Sequence, residues 1–259
     1  MSYQFISVVR DGPIVRIEIN RPEVMNALHR EAHFEMHRAF DEFAKDADLW
    51  VAILTGAGNR AFCAGYDLKS LANGGKEEWD STGFGGITRR YDLNKPVIAA
   101  VNGVAFGGGF EMALACDIIV AAEEASFALP EPRVGLAAVS GGLHRLPRQI
   151  GLKQAMGMIL TGRRVSAPEC LTMGLINQTV PATELMTASM RWAQDICKCS
   201  PMSVRAAKEA VTLGLKLDVD EAIAQQTDFA AMKEMYRSSD FIEGPRAFAE
   251  KRQPRWRVS

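Results

Sequence analysis

The sequence predicts an α/β protein that winds as a right-handed spiral, with an ordinary parallel sheet as the alternative. The first observation is that a strand, a short strand and a helix recur at a spacing of several tens of residues, without a residue-level repeat. The second is that the pattern becomes helical throughout after Pro181. We therefore assign 1–197 to an α/β core that holds the active site and 198–259 to a helical segment.

The first predicted elements are a strand and a helix. Ile14 to Ile19 alternates apolar and polar residues, as a half-buried strand does. Met25 to Ala47 repeats apolar residues at helical spacing, which predicts a helix with one buried face. His29, His33 and His37 recur every four residues on it and could bind a metal. Since no Glu follows either of the first two, we favour a half-buried helix face and predict no metal site.

Short apolar segments follow. Trp50 to Leu54 reads as a strand, and Ala61 to Leu68 reads as a short apolar run that breaks at the small residues Ala64 and Gly65. A break of this kind lets a main-chain N–H point outward, so it could supply one donor of an oxyanion hole. An ordinary turn in which Asp67 caps a helix fits equally well.

A glycine-rich segment interrupts the strands. Lys69 to Arg90 mixes glycines with charged and aromatic residues. Because strand-like sequence resumes at Pro96, we predict a mobile loop or lid here rather than a linker between domains.

The central segment, Val101 to Glu131, combines a glycine run with two carboxylates. Gly107 to Gly109 directly precede a helix-like run, so their N–H groups would lie at a helix N-terminus and suit an oxygen that is or becomes negative. Glu111 and Glu131 lie in largely apolar sequence, which raises the proton affinity of a carboxylate and suits acid–base catalysis. Structural ion pairs with Arg133 or Arg145 are the alternative.

The C-terminal third is predicted from caps and helical periodicity. Ser166 and Glu169 form a capping box, and Gly174 fits a helix end. The remaining predicted elements are a strand at Ile176–Val180 and helices at Thr183–Cys199, Pro201–Leu217, Val219–Tyr236 and Pro245–Lys251. These helices are rich in methionine, so we expect them to pack on a partner subunit.

Composition excludes several classes of protein. A net charge of −1 gives no reason to expect binding to nucleic acid or to a membrane surface. No signal peptide and no membrane span is visible, and five cysteines without paired spacing argue against a disulfide framework or a zinc site. We expect a cytoplasmic protein. Dinucleotide and P-loop motifs are absent, and Ser140 with His144 is a weak candidate for a hydrolase pair.

Several stretches together resemble the crotonase superfamily, the enoyl-CoA hydratases and isomerases, from about Ile14 to Trp256. They are Asn20-Arg21-Pro22, Asn26-Ala27-Leu28, Ala61 to Asp67, Asn102 to Glu111, and Phe127 to Glu131. The resemblance implies a spiral of ββα turns with a helical C-terminal trimerisation segment, in a homotrimer or a dimer of trimers. It also implies an acyl-CoA substrate and no separate cofactor.

The resemblance further implies the roles of individual residues. Ala64 and Gly108 would supply the oxyanion hole, Glu131 would shuttle the proton, and Glu111 would hold and activate water for syn addition to a 2-enoyl-CoA. The residues implied to bind substrate or CoA are Met25, Ala27, Ala61, Cys63, Gly65, Tyr66, Asp67, Leu68, Gly107, Phe248 and Lys251.

Other functions stay open within this resemblance. Many isomerases keep only the later Glu, and Ala138 to Gly141 departs from the hydratase turn beside the catalytic water. At Phe84 to Leu93, Ser126 to Glu131 and Ile242 to Arg252, the chain also resembles carnitinyl-CoA dehydratases. The trimethylammonium group of their substrate would need an aromatic or acidic cage, for which Trp79, Phe84 and Tyr91 are candidates. A non-catalytic CoA-binding or RNA-binding protein is the alternative of another class, against which the carboxylate pair and the lack of a lysine-rich helix face weigh.

Overall fold

The computed structural model describes residues 3–69 and 81–257, and its strands form two sheets. The strands are β1 (Ile6–Asp11), β2 (Ile14–Ile19), β3 (Val51–Gly56), β4 (Ala61–Cys63), β5 (Val97–Val101), β6 (Val104–Phe106), β7 (Ile118–Ala122), β8 (Ser126–Ala128), β9 (Val165–Ser166) and β10 (Gln178–Val180). The larger sheet has the order β1-β2-β3-β5-β7-β10, and the smaller one β4-β6-β8-β9.

Successive turns of the chain add one strand to each sheet. The pairs β3–β4, β5–β6 and β7–β8 are consecutive in sequence, and the first strand of each pair joins the larger sheet while the second joins the smaller. From β2 to β10 the larger sheet is parallel, and only β1 runs antiparallel to its neighbour. This is the predicted spiral of ββα turns, and the fold prediction is confirmed.

The helices flank these sheets. They are α1 (Arg30–Lys45), α2 (Gly108–Ala115), α3 (Gly142–Gln149), α4 (Leu152–Thr161), α5 (Ala167–Thr172), α6 (Leu185–Cys197), α7 (Pro201–Gly214), α8 (Val219–Gln225), α9 (Ala230–Arg237) and α10 (Asp240–Ala249). Helix α1 starts five residues later than predicted, because Met25 and Asn26 adopt left-handed backbone that no helix continues through.

The larger sheet is buried on both faces. Along β5, Val97, Ala99 and Val101 belong to one apolar cluster, whereas Ile98 and Ala100 belong to a second cluster that includes residues of α6. This alternation follows from the two-residue period of a strand. Central strands of a covered parallel sheet therefore read as continuous apolar runs, as β5 and β7 do.

The helical C-terminal segment is more divided than predicted. The run predicted from Val219 to Tyr236 is broken between α8 and α9 by a 3₁₀ turn at Gln226–Asp228, and α10 begins at Asp240 rather than at Pro245. The caps at Ser166 and Ser200 are present. The division of the chain at residues 197 and 198 stays a prediction.

The predicted lid is wrong for the part that the structure describes. Phe84, Gly85 and Gly86 form a buried 3₁₀ turn that packs against α1 and α2. The His33 ring accepts a hydrogen bond from the Gly85 N–H through Nδ1, at 3.0 Å. The Asn73-Gly74-Gly75 stretch and Trp79 lie outside the described residues.

Candidate active site

A cavity of about 110 Å³ lies at the N-terminus of α2. The predicted site residues that line it are Ala64, Gly65, Tyr66, Leu68, Gly107, Gly108, Glu111 and Glu131. The two carboxylates, the glycine run and the break at Ala64 come from separate parts of the sequence, and all of them line this one cavity. The predicted residues that do not line it are Met25, Ala27, Ala61, Cys63, Asp67, Phe248 and Lys251.

Glu111 lies in the first turn of α2 and is 3% exposed. The Gly142 N–H, at the start of α3, donates to its Oε1 at 2.8 Å, and the Ser140 N–H also donates to the carboxylate. Burial is the largest effect and raises the pKa of Glu111 to about 7, partly offset by these two hydrogen bonds. This carboxyl group can therefore take up or release a proton near neutral pH.

Glu131 follows β8 and begins a 3₁₀ turn at Glu131–Val134. Its Oε2 is buried and has no hydrogen-bond partner within the described residues. Burial raises the pKa of Glu131 above its usual range. A Cβ added at Gly107 would lie 3.0 Å from Glu131 Oε1, so a side chain at this position would crowd the carboxylate.

Neither arginine proposed as an ion-pair partner serves as one. Arg133 donates to the Thr161 carbonyl at 2.9 Å, and Arg145 donates to the Thr88 carbonyl at 2.8 Å. Within 3–69 and 81–257, Glu111 and Glu131 form no salt bridge. The ion-pair alternative is therefore wrong for both carboxylates.

The glycine run places an amide at the cavity. Gly107 has a φ of +52°, and its N–H donates to the Ala128 carbonyl at 3.0 Å. Gly108 is the first residue of α2, so its N–H has no intrahelical acceptor. This N–H lies at the positive end of the helix dipole and is suited to bind a developing negative charge.

The Ala64 amide does not fit the predicted role. It donates to the Met25 carbonyl at 3.0 Å, and the next amide, of Gly65, is directed to the Cys63 sulfur at 3.3 Å. The prediction that Ala64 supplies an oxyanion donor is therefore wrong for this conformation, because its N–H already has an acceptor.

The Tyr66 amide occupies a better position. Leu28 is bonded to the Gly65 carbonyl and to the Asp67 N–H, in a parallel bridge opposite Tyr66. In such a bridge the main-chain groups of the residue between the two bonds point away from the partner strand. Gly65 packs against the Gly108 N, which a Cβ at Gly65 would approach to 3.1 Å. Sequence reasoning placed Tyr66 only among the substrate contacts, since the bridge to Leu28 is not visible in the sequence.

Three other residues predicted to contact CoA, Ala61, Cys63 and Asp67, contribute to the packing and bonding of the fold. Ala61 and Cys63 are fully buried in β4, and the Ala61 carbonyl accepts a hydrogen bond from Asn26. Asp67 forms a salt bridge with Arg21. By contrast, Phe248 is 87% exposed on α10.

The remaining sequence hypotheses find little support. In the part of the chain that the structure describes, no group of three or more His, Cys, Asp or Glu side chains could hold a metal ion. Burial lowers the pKa of His33 to about 3, consistent with a neutral packed ring. Ser140 and His144 share no hydrogen bond within 3–69 and 81–257, so these residues do not form a hydrolase pair in this structure.

The predicted trimethylammonium cage is not formed by the described residues. Phe84 is 2% exposed and packs edge-on against His33. Tyr91 is exposed, but its ring faces cations: Arg145 lies 5.9 Å and Lys216 lies 5.3 Å from the ring centroid. A third cation at Tyr91 would be repelled by both.

The spiral fold and the pair of carboxylates in a cavity at a helix N-terminus define the class of protein. The family described as Enoyl-CoA hydratase/isomerase matches residues 10–258 of this sequence. The chain therefore belongs to the enoyl-CoA hydratase/isomerase family, which confirms the resemblance inferred from the motifs. Among the described residues, no helix has the length and apolar character needed to span a bilayer.

Two relatives and one solved structure match this chain over nearly its whole length. The carnitinyl-CoA dehydratase of Salmonella enteritidis PT4 is 44% identical over 97% of this chain and 98% of its own length. The carnitinyl-CoA dehydratase of Proteus mirabilis is 43% identical over 98% of each chain. The crystal structure of enoyl-CoA hydratase from Mycobacterium tuberculosis H37Rv is 38% identical and superposes with a TM-score of 0.93, covering 98% of this chain and 99% of the other.

Proposed function

We propose that this protein is an enoyl-CoA hydratase, which adds water to a 2-enoyl-CoA thioester or removes it in the reverse direction. The observation that carries the proposal is that Glu111 and Glu131 line one cavity beside the Gly108 amide. Burial raises the pKa of both carboxyl groups, so that one can be neutral while the other is ionised near neutral pH. Hydration needs both states, since one group donates a proton and the other accepts one.

The roles follow from the surroundings of each group. Glu131 has an oxygen without a partner within the described residues, so it is the group that delivers a proton to the thioester α-carbon. Glu111 is fixed by the Gly142 and Ser140 amides and would hold and activate the attacking water. In the reverse direction the same two groups exchange roles.

The thioester oxygen becomes negative as the bond to the β-carbon forms. We assign its two donors to the N–H groups of Gly108 and Tyr66, with Tyr66 in place of Ala64. Each donor of an oxyanion hole contributes about 3 kcal/mol to lowering the barrier, so the pair would be the largest single contribution to catalysis. No separate cofactor is needed, because CoA is part of the substrate.

We also propose a homotrimer or a dimer of trimers. Phe248 and Lys251 do not line the cavity of their own chain, so they would reach substrate only from a neighbouring subunit. Large apolar side chains are exposed on α7, α8 and α10: Val211, Val219, Ile223, Ile242 and Phe248. Apolar surface of this extent is typical of subunit interfaces. Buried free thiols at Cys63, Cys116 and Cys170 agree with a cytoplasmic location.

A second candidate is carnitinyl-CoA dehydratase, the name of the full-length relatives at 43% to 44% identity. It is the same reaction on an acyl group with a trimethylammonium. An isomerase is less well supported, because isomerisation needs only one carboxylate and Glu111 is retained in the cavity.

A spectrophotometric hydration assay tests the proposal. Purified protein is offered crotonyl-CoA, longer 2-enoyl-CoAs and crotonobetainyl-CoA in parallel, and loss of the conjugated thioester absorbance is followed. We expect turnover of simple 2-enoyl-CoAs. Turnover restricted to crotonobetainyl-CoA would favour the second candidate, and no turnover of any of them would refute both.

A further inference from the structure

A second, larger cavity adjoins the candidate active site. It has a volume of about 800 Å³ and lies between α3, α7 and the segment 87–94. Val139 and Ser140 line both cavities. Because the Ser140 amide also donates to Glu111, the two cavities meet at the main-chain segment that fixes this carboxylate.

The second cavity is strongly cationic. The basic residues that line it are Arg89, Arg90, Arg145, Arg148, Lys208 and Lys216. Among the residues that the structure describes, Asp117 is the one acidic residue in the lining. Arg90 is paired with Asp41 and Asp92, and Lys208 is paired with Asp117.

Four of these cationic side chains form no salt bridge with the described residues. In residues 3–69 and 81–257 no carboxylate lies within ion-pair distance of Arg89, Arg145, Arg148 or Lys216. Four like charges around one concave space repel one another, and an anion placed among them relieves this repulsion.

Arg145 places part of this charge at the wall. Its guanidinium is held by the bond to the Thr88 carbonyl, and a Cβ at Gly141 would lie 2.1 Å from its Nη1, so the group rests against Gly141. Lys216 reaches the same region from the end of α7, since both side chains lie over the Tyr91 ring. Arg145 and Lys216 therefore lie close together in this cavity, and Arg145 is near enough to Glu111 to interact with its charge.

We propose that this cavity receives the far end of the acyl group and that this end carries a carboxylate. The substrate class is then the CoA monothioester of an unsaturated dicarboxylic acid, with several methylene groups between the double bond and the carboxylate. The inference rests on the proposed hydratase function and deepens it. A trimethylammonium group would face the same four cations and be repelled, so the cavity disfavours the carnitinyl substrate.

Binding of saturated thioesters tests the inference without catalysis. Octanedioyl-CoA and octanoyl-CoA differ in the terminal carboxylate, and the affinity of each is measured by titration calorimetry. We expect octanedioyl-CoA to bind about tenfold more tightly at low ionic strength, as a charged hydrogen-bonded contact would give. The advantage should shrink as salt is added, because these cations are partly exposed to solvent.

Variants then locate the effect. The double substitution Arg148→Gln with Lys216→Gln should remove most of the advantage, expressed as the ratio of the two dissociation constants. Using the ratio corrects for any general loss of affinity. Lys153→Gln, an exposed lysine of α4 outside the cavity, is the matched control and should keep the ratio of the wild type.

The outcomes separate this inference from the hydratase proposal. Equal affinity for the two thioesters, or an advantage that survives in the double variant, would overturn the inference. Hydration of 2-octenoyl-CoA and of the CoA monothioester of 2-octenedioic acid is measured on the same preparation and reports on the reaction itself. Its absence, together with a selective and salt-sensitive affinity for octanedioyl-CoA, would refute the hydratase proposal and leave the anion site standing.

Discussion

Glu111 is the residue whose surroundings most favour the neutral form of a carboxyl group. Its pKa lies at about 7 instead of 4.5, chiefly because of burial. A raised pKa in the folded state means that the folded protein binds more protons than the unfolded chain between these two values. The contribution of Glu111 to the free energy of unfolding is therefore largest below pH 4.5, and it is lost as the pH rises to 7.

Glu111→Gln should remove this loss of stability at higher pH. We expect the difference in unfolding free energy between variant and wild type to shift in favour of the variant by about 3 kcal/mol between pH 4.5 and pH 8, since Gln cannot ionise. Urea unfolding at several pH values measures it. A difference that stays constant with pH would show that Glu111 titrates normally in the folded protein.

At the scale of single residues, the sequence predicted the acids better than the amides. Glu111 and Glu131 were identified from their apolar surroundings, which the structure reproduces. The error at Ala64 has a physical reason: which N–H points into a cavity depends on the pairing of Tyr66 with Leu28, distant in sequence. A side-chain type reveals chemistry, whereas a main-chain direction depends on tertiary contacts.

At the scale of elements, the start of α2 depends on glycine at position 108. A Cβ there would lie 2.4 Å from the Phe84 ring. The ring cannot move freely, because His33 packs against it at 4.4 Å between ring centroids. The buried turn at Phe84–Gly86 thus fixes how closely a side chain can approach the first amides of α2.

Gly108→Ala should therefore be destabilising, by about 1–3 kcal/mol, and should sharply reduce hydration by displacing the α2 amides. Gly157→Ala is the matched control. Gly157 lies within α4, and a Cβ there meets no atom within 4 Å, so this change should stabilise the protein by up to about 1 kcal/mol. Urea unfolding and the hydration assay measure both variants. A Gly108→Ala protein that is as stable and active as the Gly157→Ala protein would contradict the close packing.

A second element-scale prediction concerns the two helix caps. Ser166 caps α5 only, whereas Ser200 caps α7 and also donates to Asp240 in α10 at 2.7 Å. Ser166→Ala should lower the free energy of unfolding by about 1 kcal/mol. Ser200→Ala should cost more, because the buried Asp240 carboxylate also loses a donor. Thermal or urea unfolding compares the two, and equal losses would mean that the contact with α10 adds nothing.

At the scale of the whole molecule, the order of elements could be predicted but not their arrangement in two sheets. The apolar alternation and the helix cap predicted β2 and the start of α7 correctly, since local sequence decides such features. The two cavities are different, because each is lined by segments far apart in the chain. The cationic cavity in particular depends on residues of α3 and α7 lining the same space. The overall net charge of −1 gives no indication of this local positive charge.

The central claim is that Glu131 transfers the proton in the reaction, whereas binding of the thioester in the cavity does not depend on Glu131. The most direct measurement is the hydration rate of Glu131→Gln with a 2-enoyl-CoA, alongside the affinity of the same variant for a saturated acyl-CoA. Glu124→Gln, at an exposed turn after β7, is the control. We predict a loss of turnover of about a thousandfold with affinity within a few-fold of the wild type. Turnover near that of the Glu124→Gln control would contradict the account.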